Sequence, residues 1–173
     1  MSELNEQWAT VLAEAERRAR ANGRGDVVDY LALRATNDFA RTTAIQWLFD
    51  EFSMRAAQCN RSGSSIQISH VDDHRFRAGS NTMVGTLLTL KTGVRSLMVE
   101  AGWPRVPRDG IVKGGGLAQG HIRHFGRKSL DHELMLTRLG NGTPSWVIID
   151  KNGERTPLGL GLVHSHVAAF LRE

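Results

Sequence analysis

The order of hydrophobic patterns along the chain predicts an α+β fold, in which N-terminal helices pack on a twisted antiparallel sheet of about six strands and a short C-terminal helix follows. Apolar residues recur at helical spacing over the first third of the chain, and the period changes to two beyond Ser65. Only short turns separate the later apolar segments, which leaves no room for the helical crossovers that parallel strands require. Helices, then a meander of strands, then a helix is an α+β order.

The first third of the chain predicts two or three helices. The apolar face of a first helix ends at Asn22-Gly23, where glycine takes at low cost the left-handed conformation that stops a helix. A second apolar face continues over residues 31–56. This stretch suits one long helix, or two helices broken at residues 36–38, where Thr, Asn and Asp adjoin and each is a good capping residue. We favour the break.

Alternation and turn signals predict the strands of the second part. Ile66 and Ile68 alternate with polar residues, and Asp72-Asp73 is expected to turn the chain toward Phe76. The spacing of apolar residues after Gly159 is that of a short amphipathic helix. Further strands are predicted over residues 84–90, 94–101, 117–125, 133–139 and 145–150 and near Thr156, with Asn-Gly turns at 141–142 and 152–153.

The length of 173 residues suits a single domain with a helical part (1–60), an antiparallel β part (65–159) and a closing helix (160–173). The single cysteine, Cys59, excludes an intrachain disulfide and a cysteine-based zinc cluster, and we interpret it as a small core residue. No apolar run reaches the length of a membrane span, and the acidic start lacks the regions of a signal peptide. These features predict a soluble cytoplasmic protein.

Charge is distributed unevenly along the chain. Residues 1–60 hold seven arginines against nine acidic residues, whereas residues 61–173 hold fifteen basic residues against nine acidic ones. The window 91–128 alone has eight cations and two acids, a net charge of +6. A basic segment of this kind attracts polyanions such as nucleic acid, although an arginine-rich surface also serves solubility.

A glycine-rich stretch, Gly114-Gly115-Gly116, lies inside this basic window. Neither nucleotide motif is present: the lysine and hydroxyl residue of a phosphate loop do not follow Gly120, and Gln119 stands where a dinucleotide fingerprint needs glycine. Two interpretations stay open, an anion-binding nest of backbone amides and a tight turn into an edge strand.

The strand after the glycines has one polar face, formed by Gln119, His121 and Arg123. Arginine suits a carboxylate or phosphate, histidine suits proton transfer and glutamine suits orientation of a ligand, but the same pattern is typical of a solvated face. Glu100 shares its strand face with apolar residues. In a cavity it would have a raised pKa and serve acid–base chemistry; otherwise it is a charge at a strand end.

The seven histidines do not predict a metal site. Their spacings place neighbouring imidazoles on different faces, and the one crowded group, at residues 70–74, is a weak signal. His164 falls in line with the apolar face of the last helix, so we interpret it as a half-buried core histidine, with a pocket acid or base as the alternative. No cofactor is predicted.

Three functions are compatible with these features. The first is non-catalytic binding of a polyanion, most plausibly nucleic acid, with Trp103 as a stacking plate. The second is an interaction protein that oligomerises through Phe39, Trp47, Leu48 and Met54 of the long helix. The third is a small-ligand pocket or cofactor-free enzyme, with Glu100, His121 and His164 as candidate catalytic residues. The candidate ligand-binding residues are Trp103, Arg105, Arg108, Lys113, Gly114, Gly115, Gly116, Gln119, Arg123 and Arg127.

Overall fold

The computed structural model of the protein describes the backbone of residues 3–105 and 115–172, with side chains from residue 10 onward. It divides into two compact units, Met1–Ala40 and Arg41–Glu173. The α+β class is confirmed: within the described residues three helices accompany one antiparallel sheet, which has seven strands rather than about six. No helix within the described ranges is long and apolar enough to cross a membrane.

The strands follow one another in the sheet in chain order, and each pairs antiparallel with the next. A short 3-10 turn, Lys128–Leu130, precedes the fifth strand. The helices are α1 (Glu3–Ala21), α2 (Gly25–Arg61) and α3 (Leu160–Leu171), and the strands are β1 (Gln67–Ala78), β2 (Asn81–Thr92), β3 (Arg95–Trp103), β4 (Ala118–His124), β5 (His132–Arg138), β6 (Pro144–Ile149) and β7 (Arg155–Pro157).

The first unit contains α1 and the start of α2. The predicted stop at Asn22-Gly23 is present: Gly23 has φ +66°, and the amide of Arg24 reaches back to the carbonyl of Ala19. The favoured break at residues 36–38 is wrong, because α2 is continuous from Gly25 to Arg61. The hydroxyl of Thr36 donates to the carbonyl of Ala32 one turn earlier, so its hydrogen bond supports the helix instead of capping a new one.

The expected turn at Asp72-Asp73 is also wrong, since β1 continues through these residues with a bulge. Two residues of β1 lie opposite one residue of β2, and Asp73 adopts a left-handed φ of +54°. The extra residue shifts the alternation, so His74 lies on the same face of the sheet as Val71. A bulge of this kind redirects the side chains that follow it.

One face of the sheet packs against helices of the second unit. The indole Nε1 of Trp146 donates to the carbonyl of Ala44 in α2 at 2.9 Å. Helix α3 buries an apolar face that includes Val163, Val167 and Phe170. The fully buried large side chains in this unit are Leu48, Phe52, Met83, Leu88, Leu90, Leu97, Val99, Ile122, Leu134, Leu136 and Val163.

The sheet is strongly curled, and its other face lies on the inside of the curl. The ring of Phe76 in β1 lies 5.7 Å from that of His121 in β4, although β2 and β3 separate these strands in the sheet. Phe76, Ala78 and Met83 form a small buried cluster inside the curl. At Gly85 in β2 a Cβ atom would collide with the carbonyl of Ala101, so this close approach of β2 to β3 requires glycine.

Four apolar residues of α2 were predicted to lie outside its buried face. Leu48 is fully buried, so that part of the prediction is wrong. Phe39 is 74% exposed, Met54 is 51% exposed and Trp47 is 37% exposed.

Replacement of Gly85 tests the close approach in the curl. We expect Gly85→Ala to lower the free energy of unfolding by at least about 2 kcal/mol, because the added methyl meets backbone that cannot move without distorting β3. Chemical denaturation of the two proteins measures the difference. Gly161→Ala is the control: its Cβ meets open space in α3, so stability should be unchanged or slightly higher. Equal stability of Gly85→Ala and the parent protein would contradict the packing argument.

Candidate functional site

Glu100 forms the centre of a cluster of charged and titratable side chains on the curled face. Its side chain is buried, and each carboxylate oxygen has an imidazole partner. His74 Nε2 lies 2.8 Å from Oε2, and His121 Nδ1 lies 2.8 Å from Oε1. Arg123 Nη2 is 3.4 Å from Oε1. We call Glu100, His74, His121 and Arg123 the Glu100 cluster.

Strand register brings these residues together. Glu100 and His121 are direct cross-strand partners in β3 and β4, and Arg123 follows two residues later on the same face. His74 joins them because the bulge in β1 turns it to this face and the curl carries β1 over the sheet. Phe76 fixes both rings: it stacks on His74 at 5.8 Å and meets His121 edge-on.

The hydrogen bonds fix the proton positions on both histidines. An ionised carboxylate only accepts, so His121 donates from Nδ1 and His74 donates from Nε2. In the neutral rings, His121 Nε2 and His74 Nδ1 therefore carry the lone pairs. Arg123 Nη2 also lies 3.3 Å from His121 Nδ1, but that nitrogen uses its proton toward Glu100, so Arg123 acts here through its positive charge.

The surroundings of Glu100 determine the direction in which its pKa is shifted. Burial by itself raises the pKa of this carboxyl, but the hydrogen bonds from His121 and His74 and the charge of Arg123 outweigh it, and the pKa of Glu100 is lowered. The alternative in which a cavity raises this pKa is therefore wrong, and so is the alternative of a solvated charge at a strand end, since Glu100 is buried. Glu100 is a firmly ionised carboxylate, which suits it to orient and charge-stabilise the imidazoles instead of donating a proton itself.

A cleft of about 30 Å³ opens beside His121. Gln119 and Glu133 line it together with the backbone of Gly79, and Glu133 is the cross-strand partner of His121 in β5. This volume holds one or two water molecules or the tip of a larger ligand. His121 thus lies between two carboxylates, with Glu100 on the side of β3 and Glu133 on the side of β5.

The remaining predicted ligand residues do not join the Glu100 cluster. Two arginines lie over the ring of Trp103: the guanidinium of Arg105 is 3.8 Å from its ring centroid, and that of Arg41 is 5.7 Å away. Arg127 donates to the carbonyls of Ala169 and Arg172 and so caps the end of α3. Arg108, Lys113 and Gly114 lie outside the described residues.

Gly115 and Gly116 contribute to the fold. Gly115 has φ +81°, and a Cβ on Gly116 would lie 2.7 Å from Cγ of Met135. The next residue, Leu117, donates its amide to the carbonyl of Leu136 and accepts a hydrogen bond from Arg41 Nε at 2.6 Å. This end of the glycine run is therefore fastened to β5 and α2.

A second group of histidines lies under α3. His124 Nε2 is 3.0 Å from His166 Nδ1, and the ring of His132 meets that of His166 edge-on at 5.0 Å. The interpretation of His164 as the core histidine of α3 is wrong, because His164 is exposed and His166 is buried in its place. The apolar residues of α3 lie on the same face of the helix as His166, whereas the sequence pattern placed His164 on that face.

No three His, Cys, Asp or Glu side chains in the described part of the chain are placed to hold one metal ion. The crowded group at residues 70–74 has separate partners. His70 contacts Ser53 at 3.4 Å, Asp72 accepts a hydrogen bond from Thr86, and His74 binds Glu100.

Sequence patterns did not predict the places of His74 in the Glu100 cluster, of Glu133 in the cleft or of His166 under α3. His74 follows the predicted turn at Asp72-Asp73, and only the bulge places it on the face of Glu100. Glu133 could have been found, because alternation puts it on the face opposite His132 and register puts it beside His121.

The buried histidines make stability dependent on pH. Burial first, and then the neighbouring His124 and His132, lower the pKa of His166 from 6.5 to about 4. Burial also lowers the pKa of His124, with Asp131 opposing and Arg127 and His132 reinforcing the shift. The unfolded chain therefore binds protons that the folded chain does not, and stability is lost as the pH falls from about 6.5 to about 4.

We expect His166 to account for about 3 kcal/mol of this acid loss, from a pKa difference of roughly two and a half units. His166→Asn keeps a polar atom for His124 but does not titrate, so its stability should fall less steeply with acid. Urea denaturation at a series of pH values measures the slope. His164→Asn, on the exposed side of the same helix, should leave the slope unchanged, and an equal change in both variants would refute the assignment.

Comparison of the chain with protein-family models, with curated proteins and with solved structures finds no match in any of the three.

Proposed function

We propose that this protein is a cofactor-free acid–base catalyst that acts on a small ligand, with His121 as the general base. The observation that carries the proposal is the buried carboxylate of Glu100, whose two oxygens each accept a hydrogen bond from an imidazole at 2.8 Å. A carboxylate that holds one ring nitrogen of a histidine fixes the other as a proton acceptor.

The proton transfer follows from this arrangement. The substrate gives a proton to Nε2 of neutral His121, and the resulting imidazolium is stabilised by the ionised Glu100 at its Nδ1. His74 holds the second oxygen of Glu100, which keeps the carboxylate from rotating away. Phe76 closes one side of both imidazoles, so the exchange of protons takes place from the side of the cleft and of Arg123.

The dimensions of the cleft limit what enters it. About 30 Å³ accommodates water or a small reacting group between His121, Gln119 and Glu133, and the rest of a substrate lies outside, toward solvent. Gln119 offers both a donor and an acceptor at the cleft, which suits orientation of a polar group.

Polyanion binding is a second candidate, favoured by the +6 charge of the window 91–128. Three of its described cations already have partners within the protein, however: Arg105 covers Trp103, Arg123 faces Glu100 and Arg127 caps α3. A base would have to displace Arg105 to stack on that face of Trp103. Nucleic-acid binding therefore stays a prediction, as does oligomerisation, for which the exposed Trp47 and Met54 are the supporting observation.

Hydrogen–deuterium exchange at carbon tests the catalytic proposal without knowledge of the product. We expect the protein to accelerate loss of the methyl proton signals of pyruvate, methyl pyruvate or acetone in D2O, followed by NMR. His121→Gln should reduce the acceleration by on the order of 100-fold or more, because the proton acceptor is removed. Glu100→Gln should reduce it as well, since the amide no longer stabilises an imidazolium.

His164→Gln is the matched control, an exposed histidine of α3 outside the Glu100 cluster, and should exchange protons at the rate of the parent protein. Thermal unfolding of each variant verifies that the fold is retained. An exchange rate that is the same in the parent protein and in His121→Gln for all three compounds would rule the proposal out.

A further inference from the structure

We infer that the ligand of the Glu100 cluster is a small monocarboxylate, held by the guanidinium of Arg123. The inference rests on the proposed function and names the class of compound that the site takes. Two observations carry it: unused hydrogen-bond donors on Arg123, and the position of this arginine beside the base.

Arg123 has donors to spare. A guanidinium offers five N–H groups in a planar fork. Within residues 10–105 and 115–172, the contacts of Arg123 are those of Nη2 with Glu100 and His121, and Nε and Nη1 have no protein partner. About half of the side chain is exposed to solvent. The open edge is thus available to a ligand.

Other arginines of the sheet are used differently. Arg127 donates to two carbonyls at the end of α3, and Arg95 donates to the carbonyl of Leu171 at 2.6 Å. Their guanidinium groups satisfy the last turn of a helix, which leaves four carbonyls without internal partners. Within the described residues, Arg123 donates to no helix end, and its anionic partner is a carboxylate that two histidines already satisfy.

The position of Arg123 connects binding to chemistry. Its Nη2 lies 3.3 Å from the ring of His121, and both side chains project from β4 on the same face. A carboxylate on the open edge of the guanidinium therefore lies on the same face of β4 as His121, the residue that we propose as the base. A planar carboxylate matches the fork of an arginine, which can donate two parallel hydrogen bonds to it.

The charge of the surroundings favours a single negative charge on the ligand. Glu100 and Glu133 are the cross-strand partners of His121 on either side, and Arg123 Nη2 lies 3.4 Å from Oε1 of Glu100. A dianion such as phosphate at neutral pH meets stronger repulsion from the two carboxylates than a monoanion does. We therefore place a carboxylate, and not a phosphate, at Arg123.

Binding is tested by NMR titration of the full chain with acetate, its neutral isostere acetamide, and inorganic phosphate, at an ionic strength held constant with sodium chloride. We expect acetate to shift the Arg123 Nε–H and His121 ring resonances with saturation. Acetamide and phosphate should bind at least tenfold more weakly. Arg123→Gln should weaken acetate at least tenfold, whereas Arg77→Gln, an exposed arginine of β1, should bind acetate like the parent protein.

The outcomes separate the two proposals. Acetamide binding as tightly as acetate, or unchanged acetate binding in Arg123→Gln, overturns the carboxylate site. Phosphate binding as tightly as acetate through Arg123 overturns the choice of a monocarboxylate. If acetate binds through Arg123 but proton exchange does not depend on His121, the anion site is supported and the catalytic proposal is refuted. If proton exchange depends on His121 but acetate does not bind through Arg123, only the anion site is refuted.

Discussion

The close approach of β2 to β3 at Gly85 is the constraint on which the Glu100 cluster depends. The curl of the sheet at this point carries β1 across two strands, so that Phe76 and His74 meet residues of β3 and β4. In a flatter sheet His74 would face solvent, and the second oxygen of Glu100 would lack its partner. The bulge in β1 is the complementary device, because it turns His74 to the curled face.

Burial of a carboxylate is costly unless its charge is matched by donors, and the curl supplies them from two strands. His74 comes from β1, His121 and Arg123 come from β4, and together they keep Glu100 ionised despite its burial. The same hydrogen bonds leave the second nitrogen of each imidazole without a partner among the described residues. One hydrogen-bond network therefore supplies the buried carboxylate of Glu100 with donors and also prepares His121 to accept a proton.

The basic residues of the central segment have several structural roles, which the net charge of the segment does not distinguish. Arg95 and Arg127 cap α3, and Arg105 covers Trp103. Of the described cations predicted as ligand contacts, Arg123 alone lies beside titratable groups with donors left over. The function we propose follows from that one position and not from the net charge of the window.

The sequence by itself determined the fold class, the helix stop at Gly23, the order of the strands and the faces on which Gln119, His121 and Arg123 lie. These features depend on local periodicity and on turn chemistry, which neighbouring residues specify. Tertiary structure decided the continuity of α2, the bulge before His74, the burial of His166 in place of His164 and the direction of the pKa shift of Glu100. The reason is that curvature and register bring together residues from strands that are not neighbours, and alternation along one strand carries no information about its partners across the curl.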